Sequence, residues 1–134
     1  MASIHKEILV GVDAETVWDA IRDIGEAHRR LFQGVLTDVR LESGGRVVTF
    51  ANGLVVREST VDLDDDRRRY AWTAEGGRAT HYNSSLQVFE TTGGGSRIVW
   101  ITDLLPNDSR DAVAGLMDAG AAAMKRMLER VKVT

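Results

Sequence analysis

The sequence predicts an α+β fold: a seven-stranded antiparallel sheet wrapped around a long C-terminal helix, with two short helices after the first strand. Three observations predict it. Six strand-like segments separated by tight-turn residues run from Val35 to Leu105. A helical pattern follows Pro106, and another follows the opening apolar segment directly.

The opening segment, Ile4 to Val12, is rich in Ile, Leu and Val and reads as a strand. Asp13 is placed to cap a helix carrying Val17, Trp18, Ile21 and Ile24 at helical spacing, with Glu15 in the first turn and Gly25 as its stop. A second short helix is expected from Glu26 to Phe32, ended by Gly34. The strands then follow as Val35 to Glu42, Arg46 to Ala51, Leu54 to Leu63, Arg68 to Ala74, Thr80 to Glu90 and Arg97 to Leu105. Pro106 ends the last strand, and Asn107 or Asp108 is expected to cap a helix from about Ser109 to Val131. Its apolar stripe is Val113, Leu116, Met117, Met124, Met127, Leu128 and Val131. Small residues in its middle, Gly120 and Ala121 among them, are expected to leave room beside it.

At 134 residues the chain is long enough for one core and too short for two ordinary domains, so residues 1–134 are expected to form a single domain. No apolar run approaches the roughly 20 residues that span a bilayer, so no transmembrane segment is expected. The N-terminus lacks a signal-peptide pattern, which points to a cytoplasmic location. A net charge of -3 argues against nucleic-acid binding, because Arg67, Arg68 and Arg69 follow directly on Asp64, Asp65 and Asp66. Zero cysteines exclude disulfides, thiolate metal sites and cysteine nucleophiles. His5, His28 and His81 are scattered with no ligand spacing, so neither a metal nor another cofactor is expected.

The leading candidate for chemistry is Glu58, a carboxylate inside an apolar strand. Val56, Glu58 and Thr60 alternate with Val55, Arg57 and Ser59, so Glu58 and Arg57 point to opposite faces. A carboxyl group in an apolar cavity serves as proton donor or base according to its neighbours. The plainer reading is an ion pair with Arg57 or Arg46 at the sheet surface. Tyr82 and Ser84 share a strand face and offer hydroxyls among apolar side chains, unless they are simply tethered within the core. Trp72 and Trp100, with Thr102 on the face of Trp100, are candidates to present ring faces and a hydroxyl to a ligand. Aromatic residues on strands are more often plain core. Met117 is a candidate for a deformable pocket wall, against the commoner alternative of core filling. Trp18 reads as core packing.

Four stretches carry a family resemblance: VDAETVWDAIRDI at Val12 to Ile24, RESTVDLDDDRRRYAW at Arg57 to Trp72, HYNSSLQVF at His81 to Phe89 and RIVWITDLLP at Arg97 to Pro106. Together they resemble the polyketide cyclase/dehydrase and lipid-transport superfamily, also called START-like, Bet v 1-like or SRPBCC. The resemblance covers essentially the whole chain. It implies a helix-grip fold, in which a curved sheet wraps the last helix around a cavity. Within that superfamily the chain resembles small bacterial members and, more distantly, plant abscisic-acid receptors. In these receptors a glutamate-bearing strand precedes a D-D-x-R-R hairpin and an N-Y-x-S segment lines the pocket. Glu58, Asp64, Asp65, Arg67, Arg68, Tyr82 and Ser84 stand at matching positions. The receptors' acid-anchoring lysine has no counterpart in residues 35–42, which offer only Arg40, and the gating loop is reduced to Ala51-Asn52-Gly53. Abscisic acid is therefore not the implied ligand.

Three functional readings follow. The preferred one is a noncatalytic carrier or sensor of a small hydrophobic ligand, bound by Glu58, Trp72, Tyr82, Ser84, Trp100, Thr102 and Met117 and working as a monomer or homodimer. The second is a cyclase, aromatase or dehydratase in which Glu58 moves a proton and Tyr82 polarises a carbonyl. The third is an interaction module with a vestigial cavity, using the Asn52-Gly53 and Gly76-Gly77 turns as a rim.

Overall fold

A computed structural model describes residues 1–133, with side chains through residue 130. Its chain order is β1 (Ala2–Val10), α1 (Ala14–Arg22), α2 (Ala27–Arg30), β2 (Leu36–Glu42), β3 (Gly45–Phe50), β4 (Val55–Asp64), β5 (Arg69–Glu75), β6 (His81–Glu90), β7 (Ser96–Leu105) and α3 (Arg110–Val133). The seven strands form one antiparallel sheet in the order β1-β7-β6-β5-β4-β3-β2. Six consecutive strands are joined as hairpins, and β1 closes the far edge beside β7. This is the α+β helix-grip architecture that the sequence predicts.

Local chemistry accounts for most boundaries. Asp13 caps α1 by accepting from the Thr16 amide at 3.1 Å, and Val17, Trp18 and Ile21 turn the helix's apolar face into the core. The helix ends at Arg22, two residues before the expected Ile24. Asp23 leaves the helical region there, and Ile24–Glu26 form a 3-10 turn. At the far end Asn107–Ser109 also form a 3-10 turn, so α3 starts at Arg110 with no cap from Asn107 or Asp108 on its first turn. Val131, assigned by sequence to the apolar stripe, lies outside the described side chains.

The hairpin between β4 and β5 is tied to α1. Asp65 accepts from the Trp18 indole at 2.9 Å and from Arg22 at 2.8 Å, while Asp64 accepts from the Arg67 amide and guanidinium within the turn itself. The Arg22 hydrogen bond, then the Trp18 one, holds the Asp65 carboxyl below the usual range. These acids of the D-D-x-R-R stretch are fastenings of the fold.

Register slips between Leu36 and Asp38 in β2 and between Thr60 and Asp62 in β4 are bulges, which bend strands and curve a sheet. On the concave face β7 alternates strictly, with Ser96, Ile98, Trp100, Thr102 and Leu104 buried. α3 crosses that face with Met117, Met124 and Leu128 buried, packing most closely on β1, where Lys6 pairs with Asp118 at 2.8 Å. It stands off from β3 to β5, and that gap holds the site described below.

Gly120 seats the helix. A Cβ there would come within 2.8 Å of the Trp100 ring, whereas one at Gly115 would meet open space. Gly120→Ala is therefore expected to cost about 1–3 kcal/mol by overpacking. Gly115→Ala, on the exposed face of the same helix, should gain about 0.5–1 kcal/mol from helix propensity. Urea denaturation of the two variants checks the pair, and equal effects would contradict this packing.

Candidate functional site

Arg46 and Glu58 are cross-strand partners on β3 and β4 and both point to the concave face. The Arg46 Nε donates to Glu58 Oε1 at 2.8 Å, with side chains only 5% and 10% exposed. Alternation explains Arg46: it shares its face with Val48 and Phe50, as Glu58 shares its face with Val56. The ion-pair reading of Glu58 and the inward-pointing reading are thus both realised, in a pair that lies inside the sheet's curve. Arg57 points outward and binds Glu42 at 3.2 Å.

The guanidinium is held on three further sides. Its Nη1 donates to the Ile24 carbonyl at 2.9 Å. Its carbon lies 5.3 Å from the centre of the Tyr70 ring and 5.8 Å from that of Trp72. The two rings are themselves stacked at 5.0 Å. Cation–π attraction strengthens where water is excluded, so these rings replace part of the lost hydration of Arg46. The Tyr70 hydroxyl and the Trp72 Nε1 are buried without a hydrogen-bond partner among the described residues, although Thr60 neighbours the hydroxyl.

Two spaces open beside this pair. The outer chamber, about 620 Å³, lies between the β3–β4 hairpin, the β5–β6 loop and the first turns of α3, with Val56, Ala74, Val113 and Leu116 among its walls. The inner one, about 50 Å³, is bounded by Phe32, Arg46, Trp72, Trp100, Met117 and Gly120 with their neighbours. Phe50, Glu58, Tyr82 and Leu116 line both, so the carboxylate and the phenol stand where the spaces meet. Gly53 and Gly76-Gly77, all at positive φ, form the turns at the outer mouth.

The candidate residues divide. Glu58 and Tyr82 line both spaces, and Trp72, Trp100 and Met117 line the inner one. Ser84 and Thr102 line neither, because their hydroxyls are spent on structure. Ser84 Oγ accepts from the Trp100 indole at 2.9 Å, donates to the Ile101 carbonyl at 3.2 Å and pairs with Thr102 Oγ1 at 2.9 Å. This network locks the Trp100 ring. Gly120 adjoins the inner space but chiefly seats that ring, and Ala121 packs against the core. Arg40 faces outward, with its side chain 70% exposed and near Glu42. The cavity's cation comes instead from Arg46, which period-two reading of Arg46, Val48 and Phe50 would have assigned to the same face as the core.

Burial pushes the Tyr82 phenol up to about 12, aided by the Glu58 charge and opposed by the neighbouring Thr102 hydroxyl. Burial also raises Tyr70, against the pull of the Arg46 charge. Tyr82 is therefore a neutral hydrogen-bond donor at physiological pH. Among the described residues no cluster of His, Cys, Asp or Glu is arranged to hold a metal ion, and no helix is long and apolar enough to cross a membrane.

A curved antiparallel sheet gripping a helix over an apolar cavity defines a class of fold, and the family follows from sequence. Residues 1–133 match the polyketide cyclase / dehydrase and lipid transport family, and the chain belongs to it. Among solved structures it resembles an uncharacterized protein from Bacillus thuringiensis, at 19% identity and a TM-score of 0.85, covering 95% of this chain and 98% of that one. A START superfamily protein from Mycobacterium smegmatis is 12% identical with a TM-score of 0.79, covering 96% and 98%. The Zhui aromatase/cyclase from Streptomyces sp. R1128 is 16% identical with a TM-score of 0.75, covering 96% and 91%. No curated protein sequence matches the chain. At these identities the structural likenesses define the fold alone.

Two outcomes test this geometry. Arg46→Met leaves Glu58 as an unpaired buried charge and should cost about 3–5 kcal/mol, whereas the double change Arg46→Met/Glu58→Leu should lie within about 1 kcal/mol of wild type or above it. Denaturant midpoints of both proteins would show the difference, and a double variant as weak as the single one would refute it. A phenol whose pKa is raised on folding holds its proton more tightly in the folded chain. Its contribution to stability is complete below about pH 10 and is lost as pH rises through about 12. Absorbance at 295 nm should accordingly show a tyrosine step near pH 12 in the native protein, and Tyr82→Phe should remove it.

Proposed function

We propose that the protein is a noncatalytic carrier or sensor that holds one small, mainly apolar molecule in the outer chamber, with the polar end of the guest against Glu58, Tyr82 and Arg46. The observation that carries this reading is a chamber of about 620 Å³ with mainly apolar walls and with Glu58 and Tyr82 at its inner end, where it meets the space that Arg46 lines. That volume lies within the range of small-molecule sites, and the arrangement fixes a guest's orientation. Glu58 supports binding over proton transfer because one of its oxygens is committed to Arg46. Trp72, Trp100 and Met117 back the polar end as a rigid apolar floor, while Ser84 and Thr102 act through Trp100.

A second reading, a cyclase- or dehydratase-type enzyme, rests on the neutral Tyr82 phenol beside Glu58. In it Tyr82 hydrogen-bonds a carbonyl as negative charge grows on its oxygen, with the Arg46 charge close by. Glu58 would then have to exchange Arg46 for the substrate's proton.

Native mass spectrometry of gently purified protein should find a retained small molecule at one per chain. Filling the chamber from its wall by Ala74→Phe should expel that molecule and abolish ligand-induced stabilisation in thermal melts while the far-ultraviolet circular dichroism stays native. Undiminished stabilisation in that variant would move the site elsewhere. Turnover of an added aromatic polyketide mimic, lost in Tyr82→Phe, would favour the enzyme.

A further inference from the structure

Resting on the binding role proposed above, we infer that the cavity selects an uncharged guest whose polar end both donates and accepts a hydrogen bond, such as a phenol or another hydroxyl-bearing apolar molecule, and rejects the carboxylate of the same skeleton. The inference comes from what the buried pair leaves unused. Arg46 spends Nε on Glu58 Oε1 and Nη1 on the Ile24 carbonyl. Among the described residues, its Nη2 and the Glu58 Oε2 make no hydrogen bond, and neither is sealed in the way that the Trp72 indole nitrogen is. One donor and one acceptor are therefore left at the inner end, both on side chains at least nine-tenths buried. The Tyr82 hydroxyl lies close enough to feel the Glu58 charge.

Charge decides the class of guest. The positive Arg46 and negative Glu58 cancel, and the other charged residue lining either space, Arg78, is exposed at the outer mouth, where water and salt screen it. A carboxylate entering the chamber would lie beside Glu58 in a low-dielectric space and be repelled. It could reach the full charge of Arg46 only by displacing Glu58, which would strand a buried anion. An ammonium would meet the same difficulty at Arg46. A hydroxyl incurs neither penalty: its oxygen accepts from Arg46 Nη2 or Tyr82, and its proton goes to Glu58 Oε2.

The test uses three probes on one skeleton, 2-naphthol, 2-naphthoate and naphthalene, with affinities read at pH 7 from quenching of tryptophan fluorescence. Wild type should prefer 2-naphthol over each of the others by roughly tenfold or more. Glu58→Gln, which leaves Arg46 without its counter-charge, should narrow or invert the preference over 2-naphthoate. The Arg46→Met/Glu58→Leu variant, which keeps the volume without buried charge and leaves only Tyr82 for the hydroxyl, should lose most of the preference for 2-naphthol over naphthalene, and it serves if Glu58→Gln does not fold. Wild type taking 2-naphthoate as well as 2-naphthol would overturn the inference while leaving the binding role standing. So would a hydroxyl preference left undiminished in the double variant. Failure of all three probes to bind would remove the binding role and the inference with it.

Discussion

The buried hydrogen bond between Arg46 and Glu58 is the interaction on which the site depends. Two opposite charges on adjacent strands, both turned into the curve of the sheet, need one another because neither has enough water to survive alone. Their mutual attraction is helped by the Ile24 carbonyl and by the Tyr70 and Trp72 rings. The cluster thereby links the turn after α1 to three strands. A pair of apolar residues would have packed there at less cost, and would have left the cavity without a polar end. Under the binding role proposed above, a charged pair at this position serves recognition more than stability.

Around that pair, polar side chains fall into two groups with different work. Ser84 and Thr102 face the interior, but they are fully engaged with Trp100 and the Ile101 carbonyl, so they fix an aromatic wall. Asp65 lies outside the cavity altogether and fastens α1 to the β4–β5 hairpin through Trp18 and Arg22. Glu58, Arg46 and Tyr82 bring polar groups to the inner end of the spaces, while Asn52, Arg78 and Ser109 line the outer chamber. The cavity itself persists because α3 leans on β1 and stands off from β3 to β5, so no described side chain fills the gap between helix and sheet.

Most of the fold was legible because its signals are local. Turn glycines and alternating strands from Val35 to Leu105 specify a meander whatever lies around them, and the Asp13 cap and Pro106 mark the helices in the same way. Errors sit where neighbours decide: the end of α1 at Asp23, and the 3-10 turn at Asn107–Ser109 in place of a simple cap. In the site, Glu58 was legible as the leading candidate because the period of two along Val56, Glu58 and Thr60 sets it on the face opposite Arg57, although a surface ion pair fitted the same pattern. Its partner was less so, since Arg46 opens its strand next to a turn, where arginine is ordinarily taken for a surface residue.

The sequence by itself determined the order of strands and helices, the opposed directions of Glu58 and Arg57, the shared faces of Tyr82 with Ser84 and of Trp100 with Thr102, and the family, since each is written in short-range periodicity or contiguous motif. The tertiary structure decided which inward residues meet the cavity and which are spent on one another. Ser84 and Thr102 have the same alternation as Tyr82, and only the register of β6 against β7, which pairs their hydroxyls and lets the Trp100 indole donate to Ser84, takes them out of reach. Arg46 and Glu58 are 12 residues apart and become partners only through the β3–β4 register. A hydrogen bond is a matter of a few tenths of an ångström and a few tens of degrees, and no pattern of residue types along a chain carries that information.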